Sequence, residues 1–512
     1  MRRRSLIGAA AVLPLGGCTS DGGKPEPRHS SAAPPSRPPT GSAGAADYAA
    51  LGRGLDGRLV LPGDGNYARA ARLYNTRFDG LRPAAVAYVS HRGDVAEALA
   101  FARAQGVPVA VRSGGHSYAG YSSGDGRLVI DVSALARTDT GGDTATVGAG
   151  ARLVDVYEAL AGRGRTIPAG SCPTVGVAGL TLGGGHGVVS RAYGLTCDSL
   201  TGATVVTADG RTLECGEGEN EDLFWALRGA GNGNFGVVTE LRYRTHPASE
   251  IVNCYMTWPW SRAERLVRTW QRWGPEQPDE LWSAVHLGGR AGEPPTATVL
   301  VMSLRDEAGV HTAVDRLADQ PGGPGPAASV SVTPVPYIEA MRRAAGCSAA
   351  TRHGCHLEGS LPGQDRAGVL SRDTYAARSD FFDRPLGDAD LARLLGWCAR
   401  TGTERMVQLT ALGGAVNRVA PGATAFVHRD QRVLAQYLAS WQADGDDTAA
   451  QRWLAGVHGA MRGAASGSAY QNYTDATLKD WRTAYYGQAA ERLAGIKRRY
   501  DPERLFDYPQ AV

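Results

Sequence analysis

Two glycine-rich segments carry the side chains with the most distinctive chemistry in this sequence. His116 lies in residues 112–120, RSGGHSYAG, and Cys172 lies in residues 169–187, AGSCPTVGVAGLTLGGGHG. An imidazole and a thiol are the two side chains that can bond covalently to the dimethylbenzene half of a flavin ring. The glycines beside each of them let the backbone approach a flat ligand and its phosphates closely. Together the two segments predict a covalently held flavin.

The histidine segment is also suited to binding phosphate. Its consecutive backbone N–H groups and the small hydroxyls of Ser113 and Ser117 can surround a pyrophosphate. No helix pattern follows this loop, which disfavours a nicotinamide dinucleotide fold. Zinc is the other chemistry open to the histidines and cysteines of this region, including His186 and Cys197. Because they show no paired CxxC or HxxxH spacing, we predict no metal.

Length and composition indicate an ordinary soluble globular protein. At 512 residues the chain is too long for one hydrophobic core and predicts two or three packed units. Hydrophobic residues make up 43% and charged residues 21% of the chain. The 54 basic and 51 acidic residues leave no cationic excess, so we expect no nucleic-acid partner.

The N-terminal residues predict export. Three arginines at positions 2–4 precede an apolar run over residues 6–15, which is shorter than the ~20 residues of a membrane-spanning helix. The run ends close to Cys18, and residues 1–18 therefore resemble a bacterial lipoprotein signal in which Cys18 carries the lipid. The alternative is an ordinary signal peptide in which Cys18 has no role. The arginines also loosely match a twin-arginine signal. Residues 19–46 contain six prolines and predict a flexible tether, so we expect a secreted or membrane-tethered protein.

The cysteines fit an oxidising compartment. Apart from Cys18 and Cys172 the chain has six of them, and the sequence does not determine their pairing. Cys347 and Cys355, which are joined by a short polar loop, are the best disulfide candidates. Two buried free thiols are the alternative.

The hydrophobic pattern predicts two α+β lobes and a tail. After a lead-in at residues 47–80, the first lobe covers residues 81–245, with strands at 84–89, 107–111, 128–131, 144–148, 204–207 and 237–243 and helices at 94–104 and 153–160. The second covers residues 246–460 and contains eight of the ten tryptophans. It predicts a sheet with helices on one face, from strands at 281–287, 298–303 and 405–411 and helices at 262–273 and 389–399. The tail, residues 461–512, predicts a helix over 478–499.

These segments closely resemble the flavoproteins that are similar to berberine bridge enzyme. The resemblance rests on the two segments above, on RGAGNGNFGVVT at residues 228–239, and on the tail motifs YQNYTD at 470–475 and YDPERLF at 500–506. It implies a two-lobed α+β fold of the vanillyl-alcohol oxidase type. In that fold, residues 81–245 and the tail bind FAD, and the inserted segment 246–460 forms a substrate-binding domain over the flavin.

The resemblance also assigns roles to single residues. His116 is expected to hold the 8α-carbon of FAD, and Cys172 is expected to hold its 6-carbon. The further cofactor-binding positions that it implies are Arg112, Ser113, Gly114, Gly115, Ser117, Gly176, Gly179, Gly183, His186, Gly187, Val238 and Asn472. For His186 a packing role is the alternative. Tyr118, Gln408 and Thr410 are the substrate-pocket residues that it implies.

Tyr473 matches the residue that accepts the proton of a substrate hydroxyl in this family. A phenol has an ordinary pKa of ~10, so Tyr473 needs a cation, a hydrogen bond or the electron-poor flavin to act as a base. The alternative is an aromatic side chain that only packs between the lobes. Sugar-oxidising relatives supply a carboxylate from the strand that matches residues 406–410, where this chain has Thr410.

The departures from the family pattern narrow the expected reaction. Plant relatives that form alkaloids have a histidine at the position of Leu180, and their carboxylate base has no counterpart here. We therefore expect oxidation of a hydroxylated carbon of a sugar or glycosylated metabolite, with dioxygen as electron acceptor and hydrogen peroxide as product. The alternatives are a natural-product tailoring dehydrogenase that uses another acceptor and a flavin-bearing binding protein without turnover.

Overall fold

The computed structural model of the chain describes residues 46–512. The predicted signal peptide, Cys18 and residues 19–45 of the predicted tether lie outside the described residues. Within residues 46–512, no helix is long and apolar enough to cross a bilayer. The described chain forms the two expected lobes, an α+β unit with two main sheets and a second α+β unit built on one large sheet.

A four-stranded sheet delivers the His116 segment. Its strands are β1 (Arg58–Val60), β2 (Ala85–Tyr88), β3 (Val109–Arg112) and β4 (Leu128–Asp131), in the order β1-β2-β4-β3. Strands β2 and β3 run parallel to β4, and every residue of β2 and β4 is buried. Such continuous burial is typical of parallel strands covered on both faces. Because β3 ends at Arg112, the chain passes from it directly into the glycine loop.

An antiparallel five-stranded sheet completes the first lobe in the order β5-β6-β10-β8-β9. Its strands are β5 (Thr138–Gly141), β6 (Thr144–Gly148), β8 (Leu200–Val206), β9 (Thr212–Gly216) and β10 (Val237–Arg244), and β7 (Arg165–Thr166) pairs separately with β11 (His246–Pro247). The helices of this lobe are α1 (Tyr48–Gly54), α2 (Tyr67–Ala70), α3 (Arg92–Gln105), α4 (Leu153–Ala161), α5 (Val177–Leu182), α6 (Ser190–Tyr193) and α7 (Glu221–Ala230). The predicted strands and helices of this lobe are confirmed to within a few residues.

The second lobe is one antiparallel sheet of seven strands in the order β15-β12-β14-β13-β17-β18-β16. The strands are β12 (Ile251–Trp258), β13 (Leu281–Gly289), β14 (Thr296–Ser303), β15 (Ser329–Val335), β16 (Tyr375–Phe382), β17 (Glu404–Ala411) and β18 (Val433–Ser440). The helices are α8 (Ala263–Trp273), α9 (Glu307–Asp319), α10 (Tyr337–Ala344), α11 (Asp388–Cys398), α12 (Ala415–Arg418) and α13 (Thr448–Met461). Four of them, α8, α9, α11 and α13, share a hydrophobic core with the sheet, so helices cover one face as predicted.

On the other face of this sheet, the period of two along the strands places polar side chains among apolar ones such as Trp282 and Met302. In β12, Cys254 and Met256 point into the core with the helices. Asn253 and Tyr255, which alternate with them, line a cavity against the first lobe. The same strand therefore supplies both a hydrophobic core and a wall of the functional site.

The tail returns to the first lobe. It contains α14 (Trp481–Tyr486) and α15 (Ala490–Tyr500), and the buried Lys497 of α15 donates hydrogen bonds to the carbonyls of Asn234 and Phe506, both at 2.6 Å. The prediction of one helix over residues 478–499 was wrong, because Gly487 has a φ of +44°, which lies outside the right-handed helical region. That turn ends α14 and redirects the chain into α15.

The cysteines of the described residues divide into one pair and five free thiols. Cys347 and Cys355 form a disulfide, as the sequence favoured. The free cysteines are Cys172, Cys197, Cys215, Cys254 and Cys398, of which all but Cys172 are buried. Cys172 is thus distinguished by its position as well as by its glycine context.

Candidate active site

A large cavity separates the polar face of the seven-stranded sheet from the glycine loops of the first lobe. Its volume is about 2150 Å³, whereas pockets for drug-sized ligands usually have ~300–1,000 Å³. The wall includes the loop that carries His116, the loop that carries Cys172, and Tyr473 of the tail. The cavity therefore has room for a dinucleotide cofactor and a substrate together.

The histidine and cysteine loops cross each other at two glycines. A Cβ atom on Gly114 would lie 2.2 Å from the backbone nitrogen of Gly176, and one on Gly176 would lie 2.1 Å from Ser113 Oγ. No side chain fits at such a crossing, so the glycines are required for the loops to approach. Their contact brings His116 and Cys172, which are far apart in sequence, into one cavity wall.

His116 is held in place from two sides. Its ring stacks on Tyr74 with centroids 3.9 Å apart, and its Nε2 lies 2.9 Å from Thr174 Oγ1. The Tyr74 hydroxyl donates a hydrogen bond to Asp373, just before β16. Burial, with a smaller contribution from the charge of Arg152, lowers the pKa of His116 to about 3. The imidazole is therefore neutral at pH 7, as a nitrogen nucleophile must be.

Cys172 is exposed inside the cavity. The protein atoms that enclose the cavity raise the pKa of the thiol to about 11, mainly by displacing water around it and then through the charge of Asp373. The thiol is accordingly protonated at pH 7, and a protonated thiol reacts slowly with oxidants and disulfides.

Tyr473 and His186 form a hydrogen-bonded pair at the junction of the lobes. The Tyr473 hydroxyl and His186 Nε2 are 2.7 Å apart. Burial raises the pKa of Tyr473 well above its usual value, and the charges of Tyr118, Tyr470 and Cys172 would act in the same direction. Burial lowers the pKa of His186 to about 4. Both side chains are therefore neutral over the physiological range.

A second aromatic ring connects Tyr473 to the sheet. Tyr118 lies parallel to it, with centroids 5.2 Å apart and planes inclined by 16°. The Tyr118 hydroxyl accepts a hydrogen bond of 2.9 Å from the Gln436 side chain of β18. A ligand that reaches Tyr473 therefore also meets amide groups of the second lobe.

Most of the predicted site residues line this cavity. They are Ser113, Gly114, Gly115, His116, Ser117, Tyr118, Cys172, Gly176, Gly179, His186, Gly187, Val238, Gln408, Asn472 and Tyr473. Asn472 also fixes the cysteine segment, because its side chain donates a 2.9 Å hydrogen bond to the carbonyl of Leu180. His186 lies on the cavity wall and also packs against Tyr470 and Tyr473.

Three predicted residues stand behind the cavity wall. Arg112 is buried and pairs with Asp131 on the neighbouring strand, so it fixes the start of the loop without facing the cavity. Gly183 gives space to Asn472, whose Oδ1 would lie 2.0 Å from a Cβ there. Thr410 is buried and accepts a 3.1 Å hydrogen bond from Gln408. It therefore orients a pocket residue and does not touch Tyr473.

Other residues of the site have no signature in the sequence. Tyr74 stacks on His116 and bonds to Asp373, about 300 residues away, and Gln436 and His286 are polar residues in mainly apolar strands. Thr174 is the exception, because it follows Cys172 by two positions within the motif. The remainder could be found only from the pairing of the strands.

Comparison with known proteins identifies the family of the chain. The sequence model of the FAD binding domain matches residues 83–216, and the one described as berberine and berberine like matches residues 469–512. The uncharacterized FAD-linked oxidoreductase YgaK of Bacillus subtilis is 32% identical over 467 residues, which cover 90% of this chain and 97% of that protein. The chitooligosaccharide oxidase of Gibberella zeae is 30% identical, with coverage of 86% and 89%.

Solved structures extend the likeness to the fold. The BBE-like 1 protein of Physcomitrella patens superposes with a TM-score of 0.82 at 29% identity, covering 91% of this chain and 98% of that one. The chain therefore belongs to the berberine bridge enzyme-like family of FAD-linked oxidoreductases. The predicted α+β fold and the prediction of FAD as cofactor are both confirmed at that level.

The residues present suit an FAD. The glycine crossing leaves bare backbone on the cavity wall, and Gly179 has nothing within 4 Å of the position that a Cβ would take. Within the described residues, the buried Nδ1 of His186 has no hydrogen-bond partner, and an unsatisfied buried polar atom costs about 1–3 kcal/mol. A polar ligand in the cavity can remove that cost. His116 and Cys172 supply the two nucleophilic atoms on the same wall.

Proposed function

We propose that this protein binds FAD covalently through His116 and Cys172. On this proposal it oxidises a hydroxylated carbon of a neutral sugar or glycosylated metabolite. Dioxygen is the final electron acceptor, and hydrogen peroxide is the product. The observation that carries this proposal is the Tyr473 hydroxyl, held by His186 in the cavity that also contains the two candidate attachment residues.

The double attachment is supported by the neutral state of His116 and by the accessibility of Cys172. His116 is neutral at pH 7 because its pKa is about 3, and the stacked ring of Tyr74 restricts its orientation. Among the free cysteines of the described residues, Cys172 is exposed and the other four are buried. An attached cofactor stays with the protein in a wide cavity, where non-covalent contacts alone would let it dissociate more readily.

The proton transfer is assigned to Tyr473. The bound flavin would supply the hydride acceptor for the carbon that carries the hydroxyl group. Tyr473 Oη would receive the proton of that hydroxyl, which requires a substrate oxygen within hydrogen-bond distance. Tyr118 and Gln436 limit where a substrate can lie, because they form the continuous surface beside Tyr473.

A row of uncharged polar side chains favours a neutral, hydroxyl-rich substrate. Gln436, Gln408, His286 and Thr298 are paired in register across the adjacent strands β18, β17, β13 and β14, and all four line the cavity. Burial lowers the pKa of His286 to about 4, so this histidine is also neutral at pH 7. Amide, imidazole and hydroxyl groups can donate to and accept from sugar hydroxyls.

The same row gives no counter-charge to an ionic substrate. Removing an ion from water without a partner costs several kcal/mol, whereas a neutral sugar exchanges hydrogen bonds with water for hydrogen bonds with the row. The chitooligosaccharide oxidase among the relatives is named for such a hydroxyl-rich compound. These considerations favour neutral carbohydrates over uronic acids and amino sugars.

We also propose that the protein acts outside the cytoplasm, either secreted or tethered to the membrane by a lipid on Cys18. The support is the N-terminal sequence pattern, together with the disulfide of Cys347 and Cys355, since disulfides persist mainly in oxidising compartments. The wild type and Cys18→Ser can be compared after growth with a radioactive fatty acid. We expect label in the wild type and none in the variant, and an unlabelled wild type would contradict the lipid anchor.

Reduction of the flavin under nitrogen tests the proposed activity. Purified protein is mixed with neutral sugars, uronic acids, amino sugars, alcohols and phenols, and loss of the flavin absorbance is followed. We expect at least one neutral sugar to bleach the flavin, and admission of air to restore the colour rapidly with release of hydrogen peroxide. Slow recovery in air but fast recovery with a quinone would indicate a dehydrogenase. A protein that no compound bleaches would be a flavin-bearing binding protein.

A further inference from the structure

The hydroxyl of Tyr473 has one hydrogen-bond partner within the described residues, and that partner is His186. The two side chains come from segments 287 residues apart, and their rings meet edge to face with centroids separated by 5.7 Å. Tyr473 belongs to the tail, whereas His186 lies near the end of the glycine-rich segment 169–187, which also contains Cys172. The pair therefore exists only when the tail is docked on the first lobe.

A buried, protonated phenol can act as a base only if another group accepts its own hydroxyl proton. Burial raises the pKa of Tyr473 well above the ordinary value, so the phenolate is not available at neutral pH. If Tyr473 receives a proton from a substrate hydroxyl, its own proton has to leave at the same time. The carboxylate that sugar-oxidising relatives are expected to supply has no counterpart here, because that position is Thr410, whose hydroxyl accepts a hydrogen bond from Gln408.

His186 is in the right state to take that proton. The titratable groups that contact its ring are Tyr470 and Tyr473, and Tyr118 and Cys172 lie beyond Tyr473. All four are neutral at pH 7, and burial lowers the pKa of His186 to about 4. Its Nε2 can therefore accept a hydrogen bond from Tyr473 while the unpartnered Nδ1 carries the ring hydrogen.

We propose that His186 is the proton acceptor behind Tyr473, so that the substrate hydroxyl proton moves to Tyr473 Oη as the Tyr473 proton moves to His186 Nε2. The inference rests on the proposed oxidation. The substrate carbon–hydrogen bond breaks with its electron pair passing to the flavin, the oxygen–hydrogen bond loses only its proton, and dioxygen finally takes up two electrons and two protons. A weak base suffices, because the hydroxyl becomes strongly acidic as the hydride departs.

The test compares His186→Ala with the wild type under nitrogen, using the sugar that bleaches the wild type fastest. We expect the bleaching rate to fall by ~10²–10⁴-fold, the range for loss of a general base. Added imidazole should restore part of the rate in proportion to its neutral form, because the cavity has room for it. His246→Ala is the matched control, since His246 is a partly buried histidine whose pKa is also lowered to about 4, yet it does not line the cavity.

Two further variants separate proton transfer from packing. His186→Gln keeps a hydrogen-bonding side chain and should be as slow as His186→Ala, and it replaces that variant if alanine reduces the yield or the flavin content. His186→Ala combined with Tyr473→Phe should be no slower than Tyr473→Phe alone, because residues that act as one unit are not additive.

The outcomes distinguish this inference from the proposed function. If the wild type is bleached and the His186 variants are bleached equally fast, the relay is wrong and the oxidation stands. A loss that imidazole does not restore, and that adds fully to the loss from Tyr473→Phe, also overturns the relay and assigns His186 a packing role. If no compound bleaches the wild type, both the proposed function and the relay fail.

Discussion

At the scale of single residues, the histidines and the tyrosine proposed to act in the site are uncharged at pH 7. His116, His186 and His286 are all shifted by burial to a pKa between about 3 and about 4, and Tyr473 is shifted far above 10. Perturbed groups of this kind concentrate at functional sites. The shifts leave these four side chains uncharged at pH 7 and keep their hydrogen-bonding capacity.

Replacement of Tyr473 by phenylalanine tests the assignment of the base. The substitution removes one hydroxyl and keeps the ring that stacks on Tyr118, so we expect the flavin to remain attached and the protein to stay yellow. The rate of bleaching under nitrogen should fall by ~10²–10⁴-fold. An unchanged rate in a stopped-flow measurement would show that another group accepts the proton.

The pH dependence of bleaching gives an independent prediction. His186 accepts a proton only when it is neutral, and its lowered pKa of about 4 keeps it neutral from pH 8 down to about pH 5. The wild-type rate should therefore be nearly flat over that range and should fall as the pH drops through about 4. In His186→Gln this acid limb should disappear at an overall lower rate; an identical limb in both proteins would contradict the assignment.

The sequence singled out the candidate reactive residues but not their partners. His116, Cys172 and Tyr473 lie in local motifs, which a single sequence preserves. The contact between His186 and Tyr473 depends on how the tail docks, and the stacking of Tyr74 on His116 depends on the edge of the second sheet, where Asp373 binds Tyr74. Such pairs leave no local pattern. Thr410, which was expected in the pocket, does not line the cavity but bonds to Gln408, which does.

At the scale of structural elements, the crossing of the two glycine loops decides whether the site forms. Gly176 has an ordinary φ of −76°, so what it contributes is space and not an unusual backbone conformation. The loops approach because neither Gly114 nor Gly176 has a side chain. These two glycines therefore serve the packing of one loop on the other, whereas the close approach of glycine backbone to a cofactor stays a prediction.

Gly176→Ala should therefore weaken the fold itself. The added methyl would lie 2.1 Å from Ser113 Oγ and 2.3 Å from the backbone nitrogen of Gly114. We expect the free energy of unfolding to fall by at least the ~1–3 kcal/mol that is usual for overpacking, with loss of flavin. Gly396→Ala in α11 is the control, since nothing lies within 4 Å of its Cβ position and it does not line the cavity. Equal thermal stability of the two variants would show that the loops are not fixed by this contact.

Strands and helices were more predictable than loops. Buried runs such as Leu128–Asp131 coincide with the predicted strand, because a short apolar run between turn residues has few other ways to be buried. The short helix Val177–Leu182 was not anticipated, since glycine in that segment obscures the helical pattern. The tail was predicted as one helix because a single glycine inside a helical pattern does not reveal its φ.

At the scale of the whole molecule, the cavity is wide because both lobes and the tail contribute to its wall. The first lobe and the tail supply His116, Cys172 and Tyr473, and the second lobe supplies a polar sheet face. The helices of the second lobe pack on its sheet in one hydrophobic core, whereas the core of the first lobe also includes Trp282, Met302 and Tyr337 of the second. The two lobes are therefore joined by shared apolar packing beside the cavity.

Discrimination between neutral and charged sugars tests this arrangement. The best neutral sugar from the bleaching screen is compared with its uronic acid and amino analogues at pH 7. An ion opposite the uncharged row would lack a partner, at a cost of several kcal/mol, so we expect kcat/KM to be lower by at least ~100-fold. Equal kcat/KM for the neutral and charged compounds would remove the row from the substrate-binding surface.

Attachment of the flavin at two points is the central claim, and mass spectrometry after tryptic digestion tests it most directly. His116 lies in the tryptic peptide 113–127 and Cys172 in the tryptic peptide 166–191. The account predicts that acid-precipitated protein stays yellow and yields these two peptides joined by one FAD. His116→Ala and Cys172→Ala should each leave the flavin on the remaining peptide. A colourless precipitate with all of the flavin in the supernatant would contradict the account.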